Sequence, residues 1–346
     1  RGFGLTSLRS DVDARVADEQ LRLAQGEETF NRAIQMLYEN DEAWQKASET
    51  QQATFEELEA AQRVNETAAH RVVGLVIETR PDTITPPNLQ LIRRFGCTKV
   101  QVGVQSLESD ILRQNHRAIS REKIQDAFEL LRVFGFKTHA HFMLNLLGAT
   151  PESDKADYQR FVTVPAFLPD EVKLYPCSLV AGTGLVAHYE AGSWRPYSEN
   201  ELLDVLVSDI LITPPYMRVS RMIRDISAHD IVVGNKKANR RQMVEAAIEK
   251  SGQASEINEI RYREVSTGEV DREALQLIEV PYDTTNTREY FLQWVTPENK
   301  IAGFLRLSLP DQAYVTAHER DLPLALGEAM IREVHVYGKV AGLHKA

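Results

Sequence analysis

From Arg71 to Val180 the chain alternates, four times over, a short apolar or β-branched run with an amphipathic segment, and that grammar admits few folds. RVVGLVIET (71–79) is an apolar run of strand length closed by Pro81 and Asp82, and TPPNLQLIRRFG (85–96) is a helix opened by Thr85 and two prolines and closed by Gly96. TKVQVGVQS (98–106) is a second strand. SREKIQDAFELLRVFG (120–135) is a helix with Ser120 at its cap and Gly135 at its end. FKTHAHFMLNLLG (136–148), PESDKADYQRFVT (151–163) and EVKLYPCSLV (171–180) add a strand, a helix and a fourth strand. Strands separated by helical crossovers pair in parallel, so the expectation is an α/β architecture with a parallel sheet covered by helices.

Folds of this kind place their chemistry at the carboxyl ends of the strands. Those ends carry Glu78-Thr79-Arg80, Gln105-Ser106, Asn145 and Tyr175, and Glu78, Arg80, Gln105, Asn145 and Tyr175 form the candidate pocket. Glu78 and Arg80 share a face only while the strand lasts, and Pro81 stands ready to turn Arg80 away. Gly182-Thr183-Gly184 lacks the third glycine of a dinucleotide fingerprint and the Lys-Ser/Thr of a phosphate loop, so it reads as a turn. His139 and His141 face one side of a strand, and with no third ligand nearby they read as core or pocket residues rather than a metal site. The chain's two cysteines, Cys97 and Cys177, cannot hold a zinc ion or an iron–sulfur cluster alone, so no metal ligands are assigned.

Residues 1 to 70 read as helix almost throughout. Past residue 214, PPYMRVSRMIRDI sets Arg218, Arg221 and Arg224 at three-residue spacing, a row suited to successive phosphates. Lys236, Lys237, Arg240 and Arg241 continue the charge. Between 218 and 241 seven positive residues face two negative ones, +5 in a chain whose formal net charge is −10, which leaves −15 on the rest. A basic island on an acidic body puts a polyanion in one place and argues against indiscriminate nucleic-acid binding. From about 272 the runs EALQLIEVPYD, TREYFLQWVTPENK, IAGFLRLSLPD, AYVTAHE and AMIREVHVYGKV read as antiparallel strands of a separate α+β domain, incomplete at its carboxyl end. No apolar run approaches the roughly 20 residues of a membrane crossing, and the amino terminus has no secretory core, so the expected compartment is the cytoplasm.

AQRVNETAAHRVVGLVIETRPD (61–82), GCTKVQVGVQSLESDILRQNHR (96–117), PDEVKLYP and GTGL (169–185), PPYMRVSRMIRDI (214–226), IRYREV (260–265), IAGFLRL (301–307) and IREVHVYG (331–338) together resemble the Elongator catalytic subunit family. That family joins a radical S-adenosylmethionine domain to a GNAT-type acetyltransferase domain. The resemblance implies a helical region (1–60), a partial TIM-like radical barrel (61–213), a basic connector (214–270) and an incomplete GNAT-like domain (271–346). It implies 5-carboxymethyluridine formation at the tRNA wobble position from acetyl-CoA, with S-adenosylmethionine and a [4Fe-4S] cluster as cofactors. His335 and Tyr337 fall in the acetyl-CoA domain, and Arg218, Arg221, Arg224, Lys236, Lys237, Arg240 and Arg241 are the expected RNA contacts. The expected partners are tRNA, acetyl-CoA, and a second copy or Elongator-like subunits, with no DNA and no membrane. The family's cysteine triplet and Gly-Gly-Thr strand are missing from the sequence, and its acetyl-CoA loop would fall beyond Ala346. The chain therefore reads as truncated or gapped, or as catalytically inert. A lysine acetyltransferase with a scaffold barrel and an inert tRNA-binding fragment are the alternative readings.

Overall fold

The computed structural model describes residues 9–25, 27–28, 30–38, 52–223, 226–265 and 270–338. Two compact units result. One combines the N-terminal segment with 178–196 and 225–236; the other holds 70–177, 197–224 and the chain from 237 onward. In the first unit the expected helices form as α1 (Arg9–Ala24), α2 (Phe30–Tyr38) and α3 (Phe55–Glu66). The last is opened by a reciprocal cap in which the Glu57 N–H bonds the Thr54 hydroxyl and the Thr54 N–H bonds the Glu57 carboxylate. The same unit carries an antiparallel ribbon of β5 (Leu179–Val180) and β7 (Ile231–Val233), and α8 (Leu185–Glu190).

The second unit is built on a parallel sheet in the order β1 (Leu75–Thr79), β2 (Cys97–Gln105), β3 (Lys137–Leu144), β4 (Glu171–Pro176) and β6 (Arg218–Arg221). Helices α4 (Pro86–Arg94), α5 (Ser109–Gln114), α6 (Arg121–Val133), α7 (Pro151–Thr163) and α9 (Glu199–Ile212) connect these strands. Local sequence explains their ends. Thr85 accepts from the Asn88 N–H, Ser120 from Lys123 and Thr150 from Ser153, and Gly135 closes α6 at φ 72°. The outer face of the sheet is apolar: Val100, Val102, Val104, Ala140, Phe142, Leu144, Val172 and Leu174 are buried with Ile124, Phe128, Leu131 and Phe161 of the covering helices. Burying each such side chain contributes on the order of 1.5–3 kcal/mol.

A second sheet, antiparallel, runs β11 (Met330–Val336), β10 (Ile301–Pro310), β9 (Thr287–Val295) and β8 (Gln276–Asp283). Helices α10 (Arg240–Lys250) and α11 (Ile260–Arg263) precede it in the chain. This sheet shares the second compact unit with the parallel one and does not form a compact unit of its own. Asp170, ahead of β4, accepts from the Arg332 guanidinium of β11 at 2.7 and 2.9 Å, and Arg332 also donates to Glu289 of β9 at 2.7 Å, all fully buried.

Four expectations change. The strand expected over 71–79 begins only at Leu75, and that over 171–180 stops at Pro176, with 179–180 joining the ribbon. AYVTAHE is helical, α12 (Gln312–Ala317), because Asp311 after Pro310 accepts the Tyr314 N–H at 2.8 Å and caps a turn where a strand was expected. The helical spacing expected for the arginines is not what Arg218 and Arg221 adopt: RVSR is the fifth parallel strand, paired Arg218↔Glu171, Val219↔Val172 and, after a register shift, Arg221↔Lys173. No described helix is long and apolar enough to cross a membrane.

Candidate functional site

Apart from local register shifts the parallel strands alternate, and the face opposite the apolar one is largely polar. It carries Lys99, Gln101, Gly103 and Gln105 from β2, Lys137, His139 and His141 from β3, Glu171, Lys173 and Tyr175 from β4, and Ser220 from β6. On this face Lys99 of β2 pairs with Glu171 of β4, and Lys173 of β4 donates to Gln101 of β2 at 2.8 Å. Bonds that skip a strand require a face curved inward, as on the wall of a partial barrel.

Toward the carboxyl ends one group forms around His141. Its Nε2 lies 2.7 Å from Gln101 Oε1 and its Nδ1 3.4 Å from Glu78 Oε1, and Tyr175 meets the ring edge-on with centroids 5.7 Å apart. Gln105 turns out of β2 at φ 70°, a left-handed conformation unusual for a residue with a side chain. Its Oε1 is buried without a hydrogen-bond partner among the described residues. Gly103 lies close beside it: a Cβ there would stand 3.1 Å from Arg117 Nη2 and 3.3 Å from Gln105 Nε2, so these side-chain ends would have to shift slightly. Asn145 leaves β3 at φ 60°, and its N–H is held by Asp154 Oδ2 at 2.7 Å. Asp157, three residues on, accepts from Ser106 Oγ at 2.6 Å and from the Leu107 N–H, so α7 fastens the loops after both β2 and β3. Burial pushes the Asp154 carboxyl up to about 6, opposed by the Asn145 N–H and the Tyr197 hydroxyl.

Of the five expected pocket residues, Glu78 and Tyr175 are drawn together through His141, and Gln105 and Asn145 occupy the carboxyl ends of neighbouring strands. Arg80 is directed instead to Asp82, at 3.1 and 3.0 Å, by the turn Pro81 initiates. Sequence reasoning misses Gln101, Lys173 and Ser220; the signal for the first two is the polar half of the period-two pattern in TKVQVGVQ and EVKLYP. His139, expected as a core or pocket residue, bonds Ser220 Oγ at 2.8 Å, and burial lowers its pKa to about 3, so it is neutral.

The expected RNA contacts are largely consumed within the fold. Arg218 grips Glu264 at 3.0 and 2.7 Å, Arg240 and Lys237 share Glu199, and Arg241 bonds Glu245, Glu259 and the Val219 carbonyl. Arg221 and Lys236 are exposed. Arg224 lies outside the described residues. His335 and Tyr337 pack ring to ring, 4.3 Å apart, on and just after β11 beside Phe304.

The orphaned Gln105 acceptor and the polar groups around His141 fit a ligand rich in hydroxyl and amino donors, such as the nucleoside end of S-adenosylmethionine. A [4Fe-4S] cluster does not fit. Cys97 is buried and donates to the Lys99 carbonyl at 3.2 Å, Cys177 is the only other cysteine, and no group of three potential metal ligands exists among the described residues.

Residues 14–160 match the Radical SAM superfamily, and 169–250 match the Radical_SAM C-terminal domain. The chain is 35% identical over 288 residues to the tRNA uridine(34) acetyltransferase of Methanocaldococcus infernus, covering 81% of this chain and 52% of that protein. It is 34% identical to the enzyme of the same name from Dehalococcoides mccartyi (81% and 61% covered) and 31% identical to Elongator complex protein 3 of Schizosaccharomyces pombe (84% and 54%). Among solved structures, Methanocaldococcus infernus Elp3 with an N-terminal deletion superposes with a TM-score of 0.73 at 34% identity, covering 81% of this chain and 66% of that one. The chain thus spans little more than half the length of the curated relatives it matches.

Proposed function

Because the chain belongs to the radical S-adenosylmethionine superfamily, in the group of the tRNA uridine(34) acetyltransferases and Elongator complex protein 3, we propose that it serves modification of the wobble uridine of tRNA. Radical enzymes of this superfamily use S-adenosylmethionine and a [4Fe-4S] cluster. This chain's own residues supply no cluster ligands, so its contribution is to receive and orient the nucleoside groups. The modification proposed is carboxymethylation at carbon 5 with acetyl-CoA as donor, and the antiparallel sheet is read as part of a GNAT-like acetyltransferase domain. A cytoplasmic location fits that substrate.

The observation that carries the reading is the polar concave wall converging on His141, between Glu78, Gln101 and Tyr175. Glu78 and Gln105 are acceptors suited to ribose hydroxyls or exocyclic amines, Asn145 adds a donor and an acceptor, and Lys173 supplies positive charge 5.8 Å from the Tyr175 ring. Equilibrium dialysis of 5′-deoxyadenosine and of an anticodon stem-loop, against the wild-type chain and Glu78→Gln and Gln105→Ala, tests this. Both variants should lose about tenfold in nucleoside affinity, one missing hydrogen bond to a charged or buried group, while their melting temperatures hold. Undiminished binding by both would remove the site from this face.

A further inference from the structure

Two neighbours on the polar wall leave the ring protons of His141 little choice. Lys173 Nζ meets Gln101 Oε1 at 2.8 Å, and His141 Nε2 meets the same oxygen at 2.7 Å. An ammonium has hydrogens to give and no lone pair, so the atom that Gln101 turns toward Lys173 is its carbonyl oxygen and not its amide nitrogen. That oxygen can only accept. His141 Nε2 therefore carries a hydrogen and donates it. On the other side of the ring Nδ1 lies 3.4 Å from Glu78 Oε1, outside the usual range of a hydrogen bond to a carboxylate. The shorter contact decides the tautomer: the neutral ring has its hydrogen on Nε2, and the nitrogen on the Glu78 side is an acceptor.

Two acceptors then stand side by side at the carboxyl ends of the strands. The His141 ring is buried and met edge-on by Tyr175, whereas the Glu78 side chain is 61% exposed and can adjust to a ligand. Such a pair is best met by a group that brings a hydrogen for each acceptor. An amino group does so; a hydroxyl brings one hydrogen, and a carbonyl or phosphate oxygen brings none. His139, earlier on the same strand with its ring centroid 5.9 Å away, supplies the contrast. Its Nε2 lies 2.8 Å from Ser220 Oγ, which also lies 3.1 Å from the Val172 carbonyl. A hydroxyl can turn to donate or accept, so no fixed charge dictates the His139 tautomer. The carboxylate nearest to it, Glu171, is bound by Lys99 and Lys137. Of the two rings, His141 is the one set by a cation through an intervening amide.

We propose that Lys173 acts through Gln101 as a positioning residue, holding His141 with its hydrogen on Nε2 so that Nδ1, together with Glu78, receives an amino group of the ligand. The inference rests on the nucleoside reading of this face and names the group recognised. The tautomer is read on the full chain, without ligand, from the 15N shifts of the His141 ring, assigned by their loss in His141→Gln. At neutral pH the wild type should show a hydrogen-bearing Nε2 and a bare Nδ1. Lys173→Met lets the Gln101 amide turn over and donate, so the hydrogen should move to Nδ1; Lys173→Arg should keep the wild-type pattern, and the His139 signals should hold in both. Gln101→Leu, which removes the acceptor, should shift the hydrogen in the same way and serves if the methionine variant does not fold. In equilibrium dialysis the wild type should prefer 5′-deoxyadenosine over its N6,N6-dimethyl analogue by about tenfold, the worth of one hydrogen bond, and Lys173→Met should lose that preference. A wild-type ring protonated on Nδ1 or on both nitrogens, a His141 spectrum unmoved by both Lys173→Met and Gln101→Leu, or equal affinity for the two nucleosides would overturn the proposal. If neither nucleoside binds, the nucleoside reading of this face fails and takes the amino group with it, whereas the tautomer stands or falls on the spectrum alone.

Discussion

Arg218 and Arg221 both belong to β6, but their surroundings differ. Arg218 is locked to Glu264, whereas Arg221 is exposed, as is Lys236 after β7. If RNA is bound by the exposed set, Arg221→Gln with Lys236→Gln should lower the salt slope of tRNA binding by about 1.5, or 0.7–0.9 for each phosphate contact. Arg218→Gln should leave the slope alone and lower the melting temperature; the reverse pattern in a salt-resolved filter titration would defeat this division. Two carboxyls titrate in opposite senses. Burial favours the neutral form of Glu171, but Lys137 and Lys99 outweigh it and push its pKa down to about 2. Its stabilising contribution is complete above the unfolded value near 4.5 and is lost as pH falls toward 2. Asp154 is raised to about 6, so its contribution is complete below about 4 and disappears as pH rises through 6. Relative to Asp154→Asn, the wild type should therefore lose on the order of 2–3 kcal/mol between about pH 4 and 7, a difference that urea melts across this range would reveal or deny.

Most of the elements are legible in the amino-acid sequence, because caps and closing glycines mark their ends. Thr85 and Ser120 take up the capping role read from the sequence, and Thr150 caps the following helix in the same way. The polar wall is harder to read. Parallel strands are usually apolar on both faces, so the alternating lysines, glutamines and histidines of KVQVGVQ and KTHAHFML look like noise until curvature turns one face inward. Harder still are the loop fastenings. Asp154 and Asp157 look like ordinary polar residues of a helix, yet their partners are Asn145 and Ser106, on the loops after β3 and β2. The fifth strand escapes notice because arginines at three-residue spacing imitate one helical face. Gly103 tests the wall as an element: the closest atoms a Cβ would meet are the flexible ends of Arg117 and Gln105. Gly103→Ala should thus cost no more than about 1 kcal/mol in stability while reducing nucleoside affinity through a displaced Gln105. An unchanged affinity by calorimetry would detach Gln105 from the site.

For the molecule as a whole, the buried Asp170–Arg332–Glu289 chain ties two sheets that the sequence presents as separate domains. PDEVKLYP and IREVHVYG are far apart along the chain, and nothing in their composition says that an acid of one meets an arginine of the other. Arg332→Met strands two buried carboxylates and should cost on the order of 3–5 kcal/mol. Adding Asp170→Asn should restore part of that loss instead of deepening it, since the sites share one network; additive losses in denaturant melts would contradict the shared network. The tie also has a history in time. Asp170 and Arg332 are 162 residues apart, so at roughly 5–20 residues per second a ribosome finishes the arginine some 8–30 s after the aspartate. For that interval the newborn parallel sheet has a carboxylate at its base and no cation from β11 to meet it. The sheet's final closure is therefore deferred to the arrival of β11, and a nascent chain stalled in between would be the form on which chaperones and proteases act.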